Sequence, residues 1–340
     1  MKNILLTFPA ILAAIIFAVS CQFQNHGNAA DMADVEFTVG LPGSISSYAG
    51  GILPEGGLSN LGGAFNVDTA EYDLRYIIEV WTTGTSSERV YRQEETVSRD
   101  FATTKVKFKA RLAAMEYDFV FWADFVPEGT AEDNLYITDT EAGKGLLEIK
   151  ISQDGRAAGC EYADAYYASR RIDLTVSGES IGTVELVRPF GKIRLIATDI
   201  LNGELPDRPG TSIVEYDASA TFPDTFNALT GKASGSLEAG RYEFTVYQET
   251  AHITGYEPIE GAYVIGSDYI FASDVETAYA FDIEVYSSLD PNLRIGGRTV
   301  SKIPVVRNRL TTVVGNMYSS AGEIEVIIND TFDNSGNETI

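Results

Sequence analysis

Apolar and polar residues alternate along most of this chain, and a period of two is the mark of half-buried β-strands rather than helices. The clearest early runs are VEFTV (35–39), LRYIIEVW (74–81), KVKFKARL (105–112) and YDFVFWADF (117–125). RIDLTV (171–176), GKIRLIATDI (191–200) and RYEFTVYQ (241–248) follow. The last are FDIEVY (281–286), LTTVVGNMY (310–318) and EIEVII (323–328). In KVKFKARL, Val106, Phe108, Ala110 and Leu112 share a core-facing side, and Lys105, Lys107, Lys109 and Arg111 share the other. Clusters of Gly, Pro, Asp, Asn and Ser separate the runs, as in antiparallel sandwiches. Helical patterning is confined to short turns at 161–169 and 224–230. At 340 residues the chain is long for one sandwich. SGESIGT (177–183) is the most linker-like stretch near its middle, so two β-sandwich domains are expected over 35–180 and 181–334, with a tail at 335–340. The glycine-rich stretch 40–63 reads as an excursion before the first robust core strand.

The N-terminus has a different character. Residues 1–20, MKNILLTFPAILAAIIFAVS, carry one lysine and then an apolar stretch too short for a membrane span, which is the form of a secretory signal peptide. Cleavage after Ser20 would leave Cys21 at the new N-terminus, and AVSC (18–21) resembles a bacterial lipobox. Cys21 is therefore the expected lipid-attachment site, and 21–34 a polar tether. Each buried acyl methylene contributes about 0.8 kcal/mol, so a multiply acylated Cys21 would hold the chain in the outer membrane, exposed at the surface.

Charge and motif content remove several function classes. Acids number 49 against 25 Lys plus Arg, a net charge of −24, which argues against a nucleic-acid partner. The two histidines are His26 in the tether and His252 in HITGY (252–256), neither near a nucleophile elbow. No catalytic residue is assigned and an enzyme is not expected. No phosphate-cradling glycine loop implies a cofactor. The acidic stretch DTFDNSGNE (330–338) lacks the order of a calcium loop, so no metal site is assigned. In YDFVFWADF, Trp122 is a weak candidate platform for stacking a sugar; the simpler reading is a central strand with one packed face and a second partly covered.

LRYIIEVW, EYDFVFWADF (116–125) and VELVRPFGKIRLIATD (184–199) resemble segments of the fimbrillin-like lipoproteins of Bacteroidetes, the type V pilin superfamily. The closing stretch IPVVRNRLTTVVGNMYSSAGEIEVIINDTFDN (303–334) is similar to the end of those proteins. The resemblance implies an all-β chain of two tandem transthyretin-like antiparallel β-sandwich domains behind a lipoprotein signal peptide. It also implies a structural or adhesive role in a pilus. Pilin members polymerise by strand exchange after a protease removes an N-terminal strand, in the best-known members after an arginine. Two segments here suit such exchange with other fimbrillin subunits: VEFTV, through Val35, Phe37 and Val39, and EIEVII, through Ile324, Val326 and Ile328. The sequence departs from the pattern in having no Lys or Arg between Cys21 and Arg75. That favours an anchor or accessory subunit over a protease-matured shaft subunit. The alternative is a surface lipoprotein that binds a glycan or other ligand, from a host or elsewhere, on the same scaffold.

Overall fold

The computed structural model describes residues 31–41, 67, 70–101, 103–140, 143–152, 160–176, 181–199, 208–251, 257, 259–318, 322 and 324–329. In the first half the strands are β1 (Met32–Gly40), β2 (Tyr72–Thr82), β3 (Arg89–Val97), β4 (Val106–Ala113) and β5 (Glu116–Pro127), then β6 (Tyr136–Ile137), β7 (Ile149–Ile151), β8 (Ala165–Asp173) and β9 (Ile181–Glu185). In the second half they are β10 (Phe190–Ala197), β11 (Pro209–Tyr216), β12 (Thr221–Phe222), β13 (Thr225–Asn227), β14 (Lys232–Ser234), β15 (Leu237–Glu238) and β16 (Arg241–Thr245). The remainder are β17 (Tyr247–Ala251), β18 (Ile259–Phe271), β19 (Thr277–Ser287), β20 (Arg294–Val305), β21 (Leu310–Gly315) and β22 (Ile324–Asn329).

The fold is two β-sandwiches. In the first, the sheet β4-β1-β9 lies over the sheet β3-β2-β5-β8. Between them pack Val35, Phe37 and Val39 from β1, Phe108 from β4, Tyr76 and Ile78 from β2, and Phe119, Phe121 and Phe125 from β5. The Phe37 ring meets Phe119 edge-on at 5.1 Å and Phe121 at 5.6 Å. In the second, the sheet β17-β18-β10-β21-β22 covers β16-β11-β19-β20 around Ile193, Leu195, Val214, Ile265, Phe281, Ile283 and Val313. Among the described residues pairing is antiparallel except that β1 runs parallel to β9 and β10 parallel to β21. Parallel neighbours need a long crossover, and here the intervening strands of each sandwich provide it.

A third apolar cluster joins the two. The side chains of β2 and β5 that point away from the first core (Ile77, Val120, Trp122) pack with Phe190, Phe226 and Phe271 of the second half. A small sheet, β14-β13-β7-β6, draws strands from both halves, with Phe226 opposite Ile149 in the register. The divide expected at 180/181 falls just before β9. That strand pairs with β1, and Leu186 is buried in the first core, so the passage between sandwiches lies between Leu186 and Phe190.

Several strand boundaries differ from the sequence reading. RIDLTV is the end of a strand that begins at Ala165 and stops at Asp173. Only Glu161–Ala163 of the expected turn at 161–169 is helical, and 225–227 is strand. RYEFTVYQ is two strands, interrupted at Val246. The 13-residue β18 is buried on both faces over Ala262–Phe271, so it shows no alternation for a sequence reading to find.

Candidate interaction surfaces

Each segment singled out from the sequence has a definite place, except those outside the described residues: Ser20, Cys21, His26, His252, most of 40–63, residues 177–180 of the linker-like stretch, and the tail 335–340 with the acidic stretch before it. Val35, Phe37 and Val39 are 3%, 1% and 1% exposed. β1 is the middle strand of its sheet, so both of its hydrogen-bonding edges are occupied, by β4 and β9. Its outer face carries Glu36, which bridges Lys107 (3.5 Å) and Lys109 (2.9 Å) of β4. Hydrogen bonding to Lys109 holds the Glu36 carboxyl below its ordinary range.

The second segment lies differently. β22 is an edge strand with β21 as its strand partner. The expectation of one apolar face through Ile324, Val326 and Ile328 is met only at its start. Ile324 packs on the second core, whereas Val326 and Ile328 are 38% and 42% exposed. Ile327, on the opposite side of the strand, packs against a small cluster with Ile196 and Val314. Asn316–Tyr318 and Gly322, which precede β22, are tied down. Asp199 accepts the N–H groups of Met317 (3.1 Å) and Tyr318 (3.0 Å), and Arg298 donates to the carbonyls of Asn316 (2.9 Å) and Gly322 (3.1 Å).

Trp122 is not a platform. It is fully buried, with Tyr136 edge-on at 5.5 Å and Phe226 at 6.3 Å, so neither ring face is open to a sugar. The second face of β5 is covered completely because the other half of the chain lies against it.

The sequence reading missed a set of buried charges. Arg75 of β2 faces Asp124 of β5 across the sheet, at 1% and 0% side-chain exposure. The pair is bidentate, Nε to Oδ1 at 2.9 Å and a terminal nitrogen to Oδ2 at 2.8 Å. Burial pushes the Asp124 carboxyl up, while Arg75 pulls it down. For Arg75 the burial penalty is outweighed by Asp124, and the guanidinium is held above its ordinary value. Glu79, also fully buried, accepts from Arg89 (2.7 Å), Arg92 (2.5 Å), the Trp81 indole (3.0 Å) and the Leu146 N–H (2.8 Å). Gly145 lies at φ +48, and a Cβ there would run into that carboxylate, so glycine is required on both counts. Asp164 and Arg188 form a third pair at 2.8 Å, with the Tyr166 hydroxyl donating to Asp164 at 2.6 Å. The available signal was a charge inside an apolar strand, since such a residue must find an opposite charge across the sheet. These charges are all committed to partners, and they brace the sandwich rather than offer a reactive group. Among the described residues no group of three or more His, Cys, Asp or Glu could hold a metal ion.

The fold is similar to several solved structures. A candidate adhesin from Bacteroides thetaiotaomicron matches with a TM-score of 0.45 and 14% identity, over 88% of this chain and 97% of that one. The tip fimbrial protein Mfa3 from Porphyromonas gingivalis, with a C-terminal truncation, matches with a TM-score of 0.47 and 11% identity, over 87% and 99%. A candidate cell-adhesion protein from Bacteroides uniformis matches with a TM-score of 0.44 and 12% identity, over 88% and 97%. No curated protein matches the chain. Residues 27–340 match the sequence profile of DUF6562, a family of unknown function, and the chain belongs to that family.

Proposed function

We propose that the chain is a fimbrillin-like surface lipoprotein, a structural or adhesive part of a pilus that sits as an anchor or accessory subunit rather than as a protease-matured shaft subunit. The lipid on Cys21 would hold it in the outer membrane. The observation that carries this reading is the burial of Arg75. It is the first basic residue after Cys21, and it is 1% exposed in a bidentate pair inside the sheet. An arginine-specific protease acting on the folded chain has no site at which to release β1. The first sandwich then keeps its own central strand, which is what a terminal or accessory subunit needs and a strand-exchanging shaft subunit lacks.

Two measurements test it. Cys21→Ala should move the protein out of the membrane fraction and abolish fatty-acid labelling. Digestion of the purified chain with an arginine-specific protease should leave it monomeric; SDS-resistant ladders would replace this reading with a polymerising pilin. A second reading, a glycan-binding lipoprotein on the same scaffold, is favoured by an open groove on the second sandwich beside Lys302.

A further inference from the structure

Three described residues other than glycine have positive φ: Asp100 (56°), Asn308 (55°) and Lys302 (60°). Asp and Asn enter the left-handed region readily because their short side chains bond locally, but a lysine there costs stability and has no such compensation. Backbone strain of this kind persists where something else requires it. Lys302 lies in a β-bulge. Tyr279 of β19 faces Ile303 of β20 and Phe281 faces Val300, so Ala280 alone stands opposite Ser301 and Lys302. On the other edge of β19 the Ala280 carbonyl accepts the N–H of Asp217 at 2.9 Å, one rung beyond the Tyr216–Phe281 pair of β11 and β19, which places Asp217 beside the bulge. Bulges re-aim side chains, and here Ser301 and Lys302 line one side of a groove of about 480 Å³. Asp217, Ser219 and Thr221 line it as well, and so does Thr277.

The groove's polar groups are largely uncommitted. Asp217 Oδ1 accepts the Ser219 N–H (2.9 Å) and hydroxyl (2.6 Å), and these bonds hold the carboxyl below its ordinary range, so it is ionised at neutral pH. Its Oδ2 takes no hydrogen bond from any described residue. Among the described residues Lys302 has no ion pair, and the hydroxyls of Thr221, Thr277 and Ser301 have no bonded partner. A carboxylate oxygen, an ammonium and three hydroxyls thus share one concavity, with size in the range of small-molecule sites. A carboxylate that accepts, an ammonium that donates and hydroxyls that do either match the neighbouring hydroxyls of a sugar ring, each of which can donate and accept.

We propose that this groove binds a carbohydrate residue, with Lys302 and Asp217 Oδ2 as its principal contacts, and that the need for Lys302 keeps a non-glycine residue in left-handed backbone. The assignment deepens the glycan-binding reading and is independent of Cys21 and of any pilus. Tyr279, the aromatic residue in the lining, is buried, so the affinity comes from polar contacts and falls in the millimolar range, roughly 1 mM. The test is an NMR titration of the full chain with the methyl glycosides of a neutral hexose and of a hexuronic acid. These arms separate recognition of ring hydroxyls from recognition of a sugar carboxylate by Lys302. The expected result is shifts confined to 217–221, 277–280 and 299–303 with at least one of the two sugars. Lys302→Gly should weaken binding tenfold or more while raising Tm, because glycine relieves the backbone; Asp217→Asn keeps the Ser219 bonds and should weaken binding as well. No shifts with either sugar, or binding unchanged in Lys302→Gly, overturns the proposal. A lower Tm in Lys302→Gly would overturn it too, by showing that packing holds the lysine in place.

Discussion

The two sandwiches repeat one topology. In each, the first strand lies between an antiparallel and a parallel neighbour: β1 between β4 and β9, and β10 between β18 and β21. The facing sheets correspond strand for strand, β3-β2-β5-β8 with β16-β11-β19-β20. They differ at the edges. The second sandwich adds β17 beside β18 and β22 beside β21, and among the described residues the first has no counterpart next to β4 or β9. Edge strands invite pairing with other chains, and exposed lysines are a common guard. The edge strand β4 bears such a row, Lys107, Lys109 and Arg111, at 64%, 69% and 71% side-chain exposure. The repeat shows that central position, not apolar content, separates a strand the fold depends on from one that is peripheral.

The largest effects should come from the two central strands, and they should be alike. Phe37→Ala in β1 and Leu195→Ala in β10 each remove a side chain that is at most 1% exposed. They should cost about 4 and about 3 kcal/mol respectively in chemical denaturation. If one costs less than a third of the other, the two sandwiches are not energetic equivalents.

An intermediate effect comes from pH. Tyr76 in the first core, Tyr318 in the second and Tyr136 in the cluster between them are buried, and burial pushes each phenol above its ordinary value. In the unfolded chain they ionise near pH 10, while in the folded chain they stay neutral. Their contribution is complete below about pH 10 and is lost as pH rises from there through the folded-state values, by about 1.4 kcal/mol per tyrosine per pH unit. Tyr76→Phe and Tyr318→Phe should each flatten the alkaline limb of the Tm–pH curve. A limb flattened by one and not the other would place the alkaline sensitivity in a single sandwich.

The smallest effect should be at β22. Val326→Thr and Ile328→Thr alter exposed side chains of an edge strand and should change stability by no more than about 0.5 kcal/mol. A loss above about 1.5 kcal/mol in either would mean that β22 is as integral as β1, and the contrast between centre and edge would fail.

Alternation in VEFTV, KVKFKARL and FDIEVY was enough to identify strands and their inward faces, because the pleat sends successive side chains to opposite sides whatever lies next to the strand. The sequence by itself also displayed charges inside apolar strands at Arg75, Glu79 and Asp124, though not their partners. What the tertiary structure decided is who sits beside each strand. VEFTV and EIEVII share one pattern, yet one is the centre of a sheet and the other its rim. YDFVFWADF is buried on both faces because Phe190, Phe226 and Phe271 come from the other half of the chain to cover it. The bulge at Lys302 left no mark in the sequence, since it arises from a register shift between β19 and β20. Periodicity is a property of a single segment, fixed by backbone geometry. Neighbourhood, register and the covering of a second face depend on contacts between segments far apart in the chain, and no local pattern encodes them.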